Sequence, residues 1–157
     1  MEPTSDFEKY KCFNKNINKI EFINADKYVS LIFHCENNET IVYKFDILQN
    51  CCEKIGVKYY NSNDTDKRNL IYYYLNKPKV INSNLIVFDS NYENFQICMK
   101  YNSKDKYGYF YNGIVIDLFD KNNTLKYKFV FYSNHNGYYP HCFKLLSNNN
   151  LLLKQFL

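Results

Sequence analysis

Residues 40–47 read Thr-Ile-Val-Tyr-Lys-Phe-Asp-Ile, and this stretch constrains the fold more than any other. Ile41, Tyr43, Phe45 and Ile47 alternate with Val42, Lys44 and Asp46. Successive side chains of a strand point to opposite faces, so a period of two predicts a half-buried strand. The pattern returns in Leu125, Tyr127, Phe129 and Phe131, set against Lys126 and Lys128. Each strand follows another apolar run and a polar turn. Tyr28–Cys35 precedes Glu36-Asn37-Asn38-Glu39, and Tyr109–Phe119 precedes Asp120-Lys121-Asn122-Asn123. Both units therefore predict antiparallel hairpins.

The rest of the chain is read around these hairpins. Ser5-x-x-Glu8 has the spacing of a capping box and predicts a short helix to about Cys12, with Phe7 and Tyr10 inward. From Asn18 the period is two, with Ile20 and Phe22 on one side. Residues 61–66 are polar and predict an exposed loop. Leu70, Ile71, Tyr74 and Leu75 share one face of a predicted helix from Lys67 to Leu75, stopped by Pro78. Strands are predicted near Val80–Phe88 and Phe95–Tyr101, a loop over Ser103–Lys106, and an edge strand over Phe143–Leu146. The tail 147–157 contains Leu151, Leu152, Leu153, Phe156 and Leu157, so it either docks on the body or meets a partner.

The predicted class is α+β and β-rich. Two similar antiparallel hairpin units form one curved sheet or small sandwich, with one or two short helices. A chain of 157 residues can bury one real core without disulfides or metal, so 1–157 is read as a single domain. The hairpins also resemble each other across about 28–54 and 112–138. A gapless shift of 84 places Tyr43-Lys44-Phe45 on Tyr127-Lys128-Phe129, and Cys51 on His135. This predicts an internal duplication.

Phe129 to Phe143, Tyr43 to Glu53 and Leu70 to Val80 are similar to segments of an uncharacterised family, domain of unknown function 7448, of phage, bacterial and giant-virus proteins. Phe129 to Phe143, with its Ser-Asn-His-Asn-Gly-Tyr-Tyr run, resembles the family's strand followed by Ser-Asn-Gly-Tyr-Tyr. Tyr43 to Glu53 resembles its hairpin strand ending in Cys-Cys-Glu. Leu70 to Val80 resembles its short helix leading into a Gly-x-Pro strand. His135 and Asn136 interrupt the first motif, and Arg68-Asn69 lacks the acidic residues the family places before its helix. The likeness spans about 17–146. It implies a fold and a viral setting, and carries no activity with it.

Composition narrows the function classes. Four glycines leave little material for a phosphate cradle, and no Gly-rich phosphate loop, His-Glu-x-x-His or Gly-x-Ser-x-Gly occurs. No catalytic residue is assigned, no cofactor is expected, and the chain is read as a non-enzyme. No apolar run reaches the length of a membrane span, and the N-terminus lacks a secretory pattern. Abundant Asn, Lys and Tyr with a single arginine, Arg68, is what an AT-rich coding sequence yields. Host cytoplasm or virion is the expected location. The six cysteines contain no Cys-x-x-Cys pair, so free thiols in a reducing compartment are expected.

Three chemistries remain to be weighed. Cys51, His135, His141 and Cys142 are residue types that ligate zinc or pair as nucleophile and base. The loop Asn134, His135, Asn136, Gly137, Tyr138, Tyr139, with Lys126 and Lys128 nearby, combines stacking rings and phosphate-gripping ammonium groups. That is how single-stranded nucleic acid or a nucleotide is held. Against this, the net charge is only +4 and no nucleic-acid-binding motif is present. The leading expectation is a non-catalytic accessory protein. It would engage a protein partner, or itself, through sheet edges and Leu151, Leu152, Leu153, Phe156 and Leu157.

Overall fold

The computed structural model describes residues 5–25, 27–48, 54–62, 64–74, 77–80, 84–104, 110–134 and 140–157. One short helix, α1 (Ser5–Lys9), opens the chain. The helix expected to reach about Cys12 ends at Lys9, and Cys12 already begins a strand, with Phe7 buried and a Glu8–Lys11 ion pair at 3.0 Å. The strands are β1 (Cys12–Asn24), β2 (Tyr28–Cys35), β3 (Thr40–Asp46), β4 (Lys54–Asn61), β5 (Asp64–Tyr74) and β6 (Lys77–Val80). They continue with β7 (Asn84–Lys104), β8 (Phe110–Phe119), β9 (Leu125–Asn134), β10 (Cys142–Ser147) and β11 (Asn150–Phe156).

Among the described residues these strands make one antiparallel sheet in the order β11-β10-β3-β2-β1-β7-β8-β9-β4-β5-β6. It is open, with β11 and β6 at its edges. The fold is thus β-rich, and both predicted hairpins are present. Ile41, Tyr43, Phe45 and Ile47 are all buried, as are Phe129 and Phe131.

The sheet does not lie flat. In the strand order β3 and β9 are five strands apart, about 24 Å at the usual inter-strand spacing. Yet the Phe45 ring on β3 packs edge-on against the Phe131 ring on β9, with centroids 5.8 Å apart. Phe143 on β10 lies 5.4 Å from the same Phe131 ring. The sheet must therefore roll over its own apolar face. Register shifts between β1 and β7, at Ile17/Lys19 and Ile20/Glu21, supply the irregularity that such bending uses. The rolled face carries Leu31, Phe33, Ile97, Ile114, Ile116 and Val57. Each such side chain stabilises the fold by about 1.5–3 kcal/mol when fully buried.

Turn chemistry explains part of the asparagine content. Among the described residues the five non-glycine positions at positive φ are all asparagine: Asn37, Asn38, Asn123, Asn148 and Asn149. Asn37-Asn38 and Asn148-Asn149 each put two successive residues there, as a type I′ hairpin requires. In the β8–β9 turn, the Asp120 carboxylate accepts from the Asn122 and Thr124 amides at 2.9 and 3.0 Å.

Several expectations are corrected. Residues 67–74 are strand, not helix, because β5 pairs with both β4 and β6. Ile71 and the run Tyr72-Tyr73-Tyr74 are strong strand formers, and their helical spacing is coincidental. The loop expected over 61–66 is largely strand, since β4 runs to Asn61 and β5 starts at Asp64. The two strands expected between Val80 and Tyr101 are largely one long strand, β7. Ser103 and Lys104 belong to it rather than to a loop. β10 is interior rather than an edge, because the tail adds β11 beyond it.

A candidate interaction face on strands β2, β3, β10 and β11

Register pairs in a sheet share a face, so the pairing scheme writes out the outer surface in rows. Lys44 on β3 is opposite Lys144 on β10, and Lys144 is opposite Lys154 on β11. The row continues to Ser30 on β2. One step along, Ile32, Val42, Leu146 and Leu151 form a parallel apolar row. One step the other way lie Tyr28, paired with Asp46, and Cys142, paired with Phe156. A register shift between Leu145 and Leu146 lets Leu151 share this face with Lys154 and Phe156. Leu151 is 55% exposed, and Tyr28 and Phe156 are each 40% exposed.

The electrostatics of the central row are one-sided. Directly opposed side chains stand about 4.5–5.5 Å apart at Cβ, and like charges so placed destabilise a sheet. Among the described residues no carboxylate lies within ion-pair distance of Lys44, Lys144 or Lys154. Aromatic faces take up two of the ammonium groups instead. Lys44 Nζ sits 3.8 Å from the Tyr28 ring centroid, and Lys154 Nζ sits 5.4 Å from that of Phe156. Burial pushes the Cys142 thiol pKa up, while Lys144 and Lys154 pull it back. Asp46, the register partner of Tyr28, accepts the Leu48 amide at 2.9 Å and lies 3.9 Å from His141 Nδ1.

The residues singled out in the sequence are scattered relative to this face. Lys126 and Lys128 lie on β9 and are drawn to acids, Lys126 to Asp120 and Lys128 to Asp117, each at 3.8 Å. Asn134 ends β9. His135, Asn136, Tyr138, Tyr139 and Cys51 fall outside the described residues. His141 is fully buried, with Nδ1 3.1 Å from the Asp46 carbonyl oxygen and its ring against Phe45. Cys142 is the next residue and points to the opposite face, so His141 and Cys142 do not converge on one ion. Among the described residues no three His, Cys, Asp or Glu side chains gather as a metal site. Of the tail, Leu153 and Leu157 are core residues, while Leu151 and Phe156 face outward. Asp117 on β8 is 2% exposed between Lys100 and Lys128.

A cavity of about 230 Å³ lies among residues of β1, β3, β10, β11 and the end of α1. Tyr10, Phe13, Ile41, Leu145 and Leu152 line it, with Lys9 and the Lys15–Glu39 ion pair at its rim. A second, polar hollow shares that ion pair and is edged by Asn16, Glu36 and Asn94, which hydrogen-bond to one another. No helix is long and apolar enough to cross a membrane.

Sequence reading missed Lys44, Lys144 and Lys154 as a group. Each occupies the outward phase of its strand, which is legible. Their alignment depends on β10 pairing with β3, a contact between residues a hundred positions apart in the chain, and no local pattern encodes it. No family model matches the chain, and comparison with curated proteins and with solved structures finds no match.

Proposed function

We propose that the protein acts by binding rather than by catalysis, and that it docks an acidic protein segment on the outer face of β2, β3, β10 and β11. The observation that carries this reading is the in-register row Lys44–Lys144–Lys154, which has no acidic counterpart within ion-pair distance among the described residues. The row costs folding stability, and an anionic partner would offset that cost. The adjacent apolar row ending in the exposed Leu151 supplies burial. Edge strand β11, beyond which no further strand pairs among the described residues, supplies main-chain groups for an added strand. The test is a titration with poly-L-glutamate as an acidic polypeptide probe. The account expects salt-sensitive binding that Lys144→Glu abolishes. Binding unchanged in Lys144→Glu overturns it.

A second reading, single-stranded nucleic acid on the same face, is favoured by Tyr28 and Phe156. Both rings are exposed and each has a lysine beside it. Labelled oligothymidylate titrated in parallel separates the two, since bases stack on Tyr28 and Phe156 whereas a polyglutamate chain does not need them.

The strand order also supports reading the chain as a duplication. β1 and β7 lie side by side at the centre of symmetry, flanked by β2-β3 on one side and β8-β9 on the other. Beyond β3 come β10 and β11 from the second half, and beyond β9 come β4 and β5 from the first. On this reading two hairpins have changed places. The pairing Phe45–Phe143 then corresponds to Phe131–Val57. Tyr43 corresponds to Phe129 and Phe45 to Phe131, two residues further than a gapless superposition of the sequence. The Asp120–Thr124 turn and the register shift at Leu118/Phe119 absorb the difference. The AT-rich composition and the resemblance to a family found in viruses support an accessory role in a virion or infected host cell.

A further inference from the structure

We propose that Cys12 and Cys98 form a redox-reactive dithiol that closes into a cross-strand disulfide between β1 and β7. The two residues are register partners on neighbouring antiparallel strands, and their Sγ atoms stand 2.8 Å apart. The Met99 amide donates to the Lys11 carbonyl at 2.7 Å, one step along the ladder. That places Cys12 opposite Cys98 at a non-hydrogen-bonded pair, where Cα atoms approach to about 4.5 Å. This separation falls within the range a disulfide spans without backbone movement. Both side chains lie on the outer face, with Cys12 exposed and Cys98 partly covered.

The chemistry has a defined order. The Cys12 thiolate attacks one sulfur of a low-molecular-weight disulfide, breaks its S–S bond and releases one thiol. The Cys98 thiolate then attacks the Cys12 sulfur and releases the second thiol. Two protein thiols are oxidised, one external disulfide is reduced to two thiols, and the two protons pass to the leaving sulfurs. Cys12 is the entry point because it is exposed. Burial, the Cys12 sulfur and Asp117 push the Cys98 thiol up to about 12, against the pull of Lys100. Cys98 is therefore the slower, resolving partner. Cys35, buried and pushed up to about 12, is not in competition.

The test is incubation of the full-length folded protein with glutathione disulfide, followed by intact-mass and peptide analysis. The expected product has lost two hydrogen atoms and yields a peptide pair joined through Cys12 and Cys98. Cys98→Ser should stop at a glutathione adduct on Cys12, and Cys12→Ser should leave Cys98 unmodified at neutral pH. The closing step should accelerate as the pH rises from 7 to 9, because the thiolate fraction of Cys98 rises. A wild-type protein that halts at the Cys12 adduct, stays fully reduced, or joins either residue to another cysteine overturns the proposal. Peptide mapping of the wild type decides this even if a variant fails to fold.

Discussion

Lys44 and Lys144 stand directly opposite each other on β3 and β10, and Lys154 extends the pair across β11. Folding gains nothing from such a row, which makes stability and binding respond in opposite directions. Lys144→Glu places a carboxylate between two ammonium groups. It should raise stability by about 0.5–1 kcal/mol while removing affinity for an acidic probe. Urea denaturation and the poly-L-glutamate titration check the two halves. A loss of both stability and binding would mark Lys144 as a structural residue only.

The tail divides in the same manner. Leu153 is buried, so Leu153→Ala should cost about 2–5 kcal/mol. Leu151→Ser and Phe156→Ser remove exposed groups and should each change stability by no more than about 0.5 kcal/mol. Leu151→Ser should also weaken partner binding several-fold, whereas Phe156→Ser should leave poly-L-glutamate binding unchanged and would weaken only a base-stacking ligand. Denaturant midpoints compared with titrations of the three variants test this separation.

Tyr43 offers a prediction about pH. Its hydroxyl is buried with no hydrogen-bond partner among the described residues, and burial raises its pKa above the ordinary value of 10. The folded state therefore holds the neutral phenol. Stability from this group is complete below pH 10 and falls as pH rises above it, because only the unfolded chain ionises readily. Tyr43→Phe should stabilise the protein by about 1–2 kcal/mol at neutral pH by removing the unpaired hydroxyl. It should also flatten the stability loss above pH 10. Thermal unfolding at pH 7 and pH 10.5 measures both effects.

How much of this was legible beforehand differs between fold and site. The inward phase of β3 and β9 followed from alternation alone, because burial on one face leaves a period of two, while β2 was read only as an apolar run. Strand β4 carried the same sign in Ile55, Val57 and Tyr59, and was missed beside the polar stretch that follows it. Strand β5 was misread because Leu70, Ile71, Tyr74 and Leu75 fit a helical face by chance. The interaction face was not legible. Lys44 and Lys144 are far apart in sequence, and the residues favoured instead, Lys126 and Lys128, are drawn to Asp120 and Asp117 in space. Asparagine abundance, first ascribed to coding bias, also has a local cause in the positive-φ turns.

Those turns give a further expectation. Asn37 and Asn149 adopt φ of 61° and 68°. A β-branched residue there should cost about 1–2 kcal/mol, whereas glycine should be neutral or slightly stabilising. Asn149→Val and Asn149→Gly, compared by chemical denaturation, test the assignment for the β10–β11 hairpin that carries Lys144 and Lys154.

The cross-strand dithiol predicts a change in stability as well as in mass. A bond between Cys12 and Cys98 closes a loop long enough to stabilise the folded state by about 4–5 kcal/mol in the chain-entropy model. Oxidised and reduced protein compared in guanidinium should show that difference in midpoint, and Cys98→Ser should abolish it.

The most direct measurement is an NMR titration of the uniformly labelled protein with poly-L-glutamate at low salt, repeated with Lys144→Glu. The account predicts amide shifts concentrated at Lys44, Lys144, Lys154, Leu151 and Phe156, fading with added salt and absent in the variant. Shifts spread evenly over the lysines, or centred on Lys126 and Lys128, would contradict it.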